Sequence, residues 1–263
     1  MTRVWIHQGA GLIAVALAAM LLEPAGAAEP NHALVAFQSG KFLEAAQVAR
    51  NTEDSRAWSL AARALLAQVL VDGDFRANAA LLEDSIALSQ KALTADADSV
   101  EARLDLAFAL GIKGRRANRL EAVRRGYAAQ GKRLIDEALA RDPGNAWAHA
   151  MLGGWNCEVL RRGGLLGGKM YGAQWDRGWA AFDTALALAP DDPAISLQYA
   201  VALLGADAEK NAGKARALLA SAADGIPKDA ISKIMIQEAH RLGLLMDARG
   251  ARAAAEDTSR RKL

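Results

Sequence analysis

The chain has 263 residues, a formal net charge of +2, 52% hydrophobic residues and only 5% aromatic ones, so its apolar content is mostly Ala and Leu. Those two residues have the best helix propensities, while the β-branched and aromatic types that suit pleated sheets are sparse, which argues against a sheet-based fold. The small net charge argues against general nucleic-acid binding, and a single cysteine, Cys157, excludes an internal disulfide.

The N-terminus reads as an export signal. Arg3 supplies the positive start, residues 11–22 form an apolar run, and Ala25, Gly26 and Ala27 are small residues at the cleavage positions. The run is about a dozen residues long, whereas a spanning helix needs roughly 20. The expectation is a cleaved signal peptide over 1–27 and a periplasmic mature protein, with retention of the run as an anchor as the alternative. No Cys follows the run, so a lipoprotein anchor is not indicated.

From residue 31 to 50 the pattern predicts a short helix, a turn at Ser39-Gly40 and a second helix. A polar stretch over 51–54 precedes a helix starting near Ser55, with Trp58, Ala61, Ala62, Leu65 and Val69 at three- and four-residue spacing, ended by Asp72-Gly73-Asp74. Residues 81–95 place Leu82, Ile86, Ser89 and Leu93 on one stripe. Asp98 is the expected N-cap of the next helix, with Glu101 completing a capping box. That helix carries Ala102, Leu106, Ala109 and Leu110 and runs into a basic stretch over 113–133. Beyond the break at Asp142-Pro143-Gly144-Asn145 a helix carries Trp147, Leu152, Gly153, Trp155 and Glu158, then a Gly-rich insertion over 163–172. Asp192 is the expected cap of a later helix with Pro193 at its first position. Residues 212–223 form its partner, and an apolar helix beyond Pro227 covers the last exposed face.

Four segments share an acidic break followed by an Ala/Leu-rich helix: those starting at Asp54, Asp98, Asp142 and Asp191. Their spacing of about 44 to 49 residues is the signature of stacked repeats. ALARDPGNAWAHAMLG and ALALAPDDPAISLQYA resemble the junction between tetratricopeptide (TPR) repeats. Ala138 and Ala185 match the small position, Pro143 and Pro190 the inter-repeat break, Leu152-Gly153 the Leu-Gly pair, and Phe182 the aromatic of the second helix. Ala97 stands where proline is usual, and Ala107 and Ala200 where glycine is. The usual unit has about 34 residues, so roughly ten extra residues are expected between the helices of each pair. The stretch from Leu152 to Val159, with Gly153, Trp155 and Glu158, is also similar to the TPR-like region of the regulator of microtubule dynamics family. That resemblance implies a helical-repeat fold and no microtubule function.

The GxxxxGK pattern at Gly163, Gly168 and Lys169 lacks the preceding strand and the following Ser or Thr of a phosphate-binding loop, since a helix precedes it and Met170 follows. The insertion is therefore expected to be a flexible connection, with Leu165, Leu166, Met170 and Tyr171 tucked against neighbouring helices. Cys157 has no nearby base within its helix, so a buried structural role is expected. No HxxH, HExxH or GxSxG pattern and no Cys cluster occurs, so no catalytic residue, cofactor site or metal site is assigned. Glu158 and Arg162 form an i,i+4 pair. The basic stretch Lys113, Arg115, Arg116, Arg119, Arg124, Arg125, Lys132 and Arg133 is expected to stack beside Arg161, Arg162 and Lys169 as a positive edge facing an acidic protein, anionic lipid heads or a polyanionic glycan.

The resulting expectation is an all-α, TPR-like α-solenoid of about four helix pairs over 28–250, with a C-terminal capping helix and a charged, disordered tail over 251–263. Its expected function is non-catalytic binding of a protein or peptide partner in the cell envelope, with only peripheral membrane contact. The TPR resemblance implies partner-binding positions on the concave face at Arg56, Arg63, Glu101, Leu104, Phe108, Trp147 and Gly154, with Trp155, Glu158, Arg161, Arg162 and Lys169 close by. The alternative is a small-ligand carrier or enzyme that uses residues 163–172 as a lid.

Overall fold

The computed structural model describes residues 32–73 and 77–260; the expected signal peptide over 1–27 lies outside them. The described residues form twelve helices. A short pair, α1 (His32–Gln38) and α2 (Phe42–Arg50), precedes four longer pairs. These are α3 (Ser55–Asp72) with α4 (Ala79–Ala95), α5 (Val100–Arg116) with α7 (Tyr127–Arg141), α8 (Ala146–Tyr171) with α9 (Trp175–Leu188), and α10 (Pro193–Asp207) with α11 (Ala212–Ala223). The short helix α6 (Arg119–Arg125) is inserted in the second of these, and α12 (Ala230–Arg260) covers α10 and α11.

Local chemistry sets the helix ends. The Asp54 carboxylate accepts from the Ala57 amide, and Asp192 accepts from the amides of Ala194 and Ile195 with Pro193 behind it, so both acids occupy the N-cap position that leaves the fewest orphan donors. At the third repeat boundary Asn145 caps α8 through the Ala148 amide, while Asp142 holds the turn through Gly144 and Asn145. The capping box expected at Asp98 is displaced by one residue. Ser99 caps α5 through the Ala102 amide, and Asp98 instead pairs with Arg141 on α7 at 3.0 Å. A serine hydroxyl sitting one residue nearer the helix fills the cap and frees the carboxylate for a cation.

Residues 61–67 of α3 and 102–110 of α5 are buried without a break, and α10 is buried nearly all round. A helix that is apolar on every side must be surrounded on every side. Here α3 packs against α2, α4 and α5, α5 against α3, α4 and α7, and α10 against α8, α11 and α12. α1 touches α12, so the first and last elements meet, and a Cβ at Gly40 would stand 3.0 Å from the Ala230 Cβ. Most of the buried apolar side chains, from Ala36 to Ala254, form one continuous core, with two small groups beside it at Ala33, Ala49 and Ala61 and at Trp58, Ala92 and Ala102.

Two segments differ from expectation. The chain continues as helix beyond residue 250: Gly250, at φ 84°, bends α12, and Ala251, Ala254 and Thr258 pack inward while Asp257 pairs with Arg241 at 2.6 Å. The charged composition of 251–260 disguises three small inward positions. The Gly-rich insertion is likewise helical through Tyr171 after a break at Gly164, where φ is 57°. Only Gly167 is buried in it; Leu165, Leu166 and Met170 are exposed rather than tucked away.

Candidate functional site

Of the positions expected on the concave face, the structure buries Arg63, Leu104, Phe108 and Trp147, while Glu101 and Gly154 are half-buried and Arg56 is exposed. Arg63 is 3% exposed because its guanidinium is spent on Asp105 of α5, donating from Nε at 3.1 Å and from Nη2 at 3.3 Å. Ser59 donates to the same carboxylate. Burial pushes the Asp105 carboxyl up, against the pull of Arg63 and the two side-chain hydrogen bonds. This triad locks α3 to α5. Phe108 and Trp147 belong to the continuous core. Packing of α3, α5 and α8 against their neighbouring helices, which the sequence pattern does not register, turns the expected groove residues into packing residues.

The Leu152-Gly153 pair serves close approach, as the TPR pattern implies. A Cβ at Gly153 would stand 2.6 Å from Cδ2 of Phe182 on α9. Opposite it, a Cβ at Gly178 would lie 3.0 Å from Cys157 Sγ, so two glycines bring α8 and α9 together. Asn156 pins the seam, donating to the Leu152 carbonyl and accepting from the Gln174 amide at 3.0 Å. Cys157 is 5% exposed, and burial, with the nearby Glu158 charge, pushes its thiol up to about 12, which removes it as a nucleophile at neutral pH.

Trp155 is the one aromatic of the expected set that stays half-exposed. Its Nε1 donates to the Ala128 carbonyl at 2.8 Å, and a Cβ at Gly131, in the middle of α7, would make an ordinary 4.0 Å contact with the indole Cδ1. Beside it lies a solvent-open cleft of about 400 Å³ between α7 and the end of α8. Trp155, Met170 and Tyr171 give it apolar walls, and Lys132, Arg133, Asp136 and Glu137 give it charges of both signs. Lys132 pairs with Asp136 at 2.6 Å and lies 5.6 Å from the Trp155 ring centroid. Sequence reasoning found Trp155 but missed Asp136, Glu137 and Tyr171 as its neighbours.

Glu158 does not pair mainly with Arg162. It takes two hydrogen bonds of 2.9 Å from Arg161, with Arg162 at 4.0 Å. Arg162 instead donates to the carbonyls of Gly114 and Ala117 at the end of α5, and Arg119 donates to the Arg162 carbonyl at 2.6 Å. The basic stretch after α5 and the pair at 161–162 therefore do lie together. Lys169 is exposed on the helical turn beyond Gly164. The GxxxxGK residues lie within helical backbone except at Gly164 and form no phosphate cradle. Among the described residues no group of three His, Cys, Asp or Glu side chains is arranged to hold a metal ion.

The paired helices, the capping helix and the Leu-Gly seam define an all-α solenoid of the TPR type. No protein-family model matches the chain, and no curated protein does. Among solved structures it is similar to a thermophilic TPR protein of Thermus thermophilus, with a TM-score of 0.57 at 20% identity over 80% of this chain and 96% of that one. That likeness establishes the fold.

Proposed function

We propose that the protein is a non-catalytic scaffold that binds a protein or peptide partner in the bacterial periplasm. The observation carrying this reading is the cleft at Trp155: an aromatic wall beside both charge signs, open to solvent, suits one or two side chains of a larger partner. A TPR-like stack supports it, because stacked repeats present extended surfaces for protein contact. The export reading rests on the N-terminal pattern at Arg3, 11–22 and 25–27, and the narrower kinship to the regulator of microtubule dynamics family on the residues from Leu152 to Val159. The lid-covered ligand site is less well supported, since residues 165–171 are helical and the cleft beside them is open.

Affinity capture from cell-envelope extracts with the tagged chain tests this. Wild type should recover a specific protein, and Tyr171→Ala combined with Lys132→Ala, which alters the cleft at its rim, should lower recovery by about tenfold. Recovery of the same proteins by both chains would refute the cleft as the binding site.

A further inference from the structure

One edge of the molecule remains outside this reading, formed by α6 and the turn of α8 at 161–166. The helix α6 contributes no buried residue, so the core does not require it. It holds Leu120 at 79% exposure and, three residues on, Val123 at 45%. Leu165 and Leu166 are exposed by 86% and 72%. The two segments are tied together by the bond from Arg119 to the Arg162 carbonyl and by the bond from Arg162 to Ala117. Clustered large apolar side chains on a surface mark a contact site.

The charge around them is one-sided. Arg119, Arg124, Arg125, Arg161, Arg162 and Lys169 face only Glu121 and Glu158 as acids on the same two segments, and Arg124, Arg125 and Lys169 have no ion-pair partner among the described residues. At the inner side of this edge the Arg115 Nε is buried with no hydrogen-bond partner. Burial, resisted by Glu158 and reinforced by Arg161 and Arg162, lowers that guanidinium to about 10, so it is still charged at neutral pH. Arg115 as a whole is half-buried, so its charge adds to the positive field of this edge from its inner side.

We propose that this edge docks onto a membrane surface carrying anionic phospholipid. The leucines and Val123 enter the acyl boundary, and the exposed arginines stay among the phosphates. Leucines flanked by guanidinium groups suit that interface because the long basic stems lie along apolar surface while their heads stay at the polar level. A protein partner would need carboxylates and an apolar pocket in matching positions, whereas an anionic bilayer presents both without shape matching. No described helix is long and apolar enough to cross a membrane, so this contact is peripheral.

Sedimentation of the full chain with vesicles of phosphatidylcholine alone, or with about 30% phosphatidylglycerol, tests the proposal. The wild type should bind the anionic vesicles about tenfold more strongly, and raised salt should diminish the difference. Any contribution of the apolar N-terminal run is common to all variants and appears with the neutral vesicles. Leu165→Ser with Leu166→Ser, and separately Arg124→Gln with Arg125→Gln, should each reduce the anionic preference by about tenfold while leaving the circular dichroism spectrum unchanged. Equal binding to both vesicle types, or unaltered preference in both variants, overturns it. So does an absence of vesicle binding accompanied by loss of a captured protein in these same variants, which would assign the edge to a protein instead.

Discussion

Arg63 and Asp105 are 42 positions apart in the chain and 4% and 2% exposed in the fold. The TPR resemblance implies a place for Arg63 on a binding face; in the fold, it is half of a buried ion pair. Removing one member leaves the other charged and dry, which costs more than the pair itself contributes. Asp105→Ala should therefore lower stability by about 3–5 kcal/mol in urea denaturation, and Arg63→Met together with Asp105→Leu should recover most of that loss. If Arg63 instead served a partner, Asp105→Ala would leave the fold's stability little changed. Trp155 presents the opposite case, since its polar edge is satisfied by Ala128 while part of its ring stays accessible.

At the scale of helices, the seam between α8 and α9 depends on the absence of side chains. Gly153→Ala would place a methyl 2.6 Å from the Phe182 ring, forcing the two helices apart. Overpacking of this kind costs about 1–3 kcal/mol, readable as a lowered thermal midpoint. Gly163→Ala is the control: nothing lies within 4 Å of its added Cβ, and its change in stability should be neutral or favourable by up to about 1 kcal/mol through helix propensity. Ten or so additional residues per unit were expected between paired helices; they are present in two units, as α6 and as the helical turns after Gly164, while α4 and α11 follow their partners α3 and α10 much more closely. Their helicity was not legible, because glycine disfavours a helix and closely spaced like charges repel within one, and these segments hold their form through bonds such as those from Arg162 to α5.

For the whole molecule, the meeting of α1 with α12 changes the expected behaviour. An open solenoid unfolds by fraying from its ends, because each repeat touches only its neighbours. Here one continuous core runs from Ala36 to Ala254. Far-ultraviolet circular dichroism and tryptophan fluorescence, with indoles at Trp58, Trp147, Trp155, Trp175 and Trp179 spread along the stack, should report one coincident denaturation transition. Separate transitions would show that the ends unravel independently.

The all-α class, the repeat spacing, most helix boundaries and the cap at Asp192 were readable in the amino-acid sequence, because helix propensity, apolar period and capping act over a few residues. The role of Leu152-Gly153 was readable as well, since a small residue beside a conspicuous apolar stripe has few other uses. Which faces remain open was decided by tertiary structure alone. Whether Arg63 meets solvent or Asp105, whether Phe108 lines a groove or a core, and whether Leu165 is covered depend on residues tens of positions away. Local patterns carry no record of that distance.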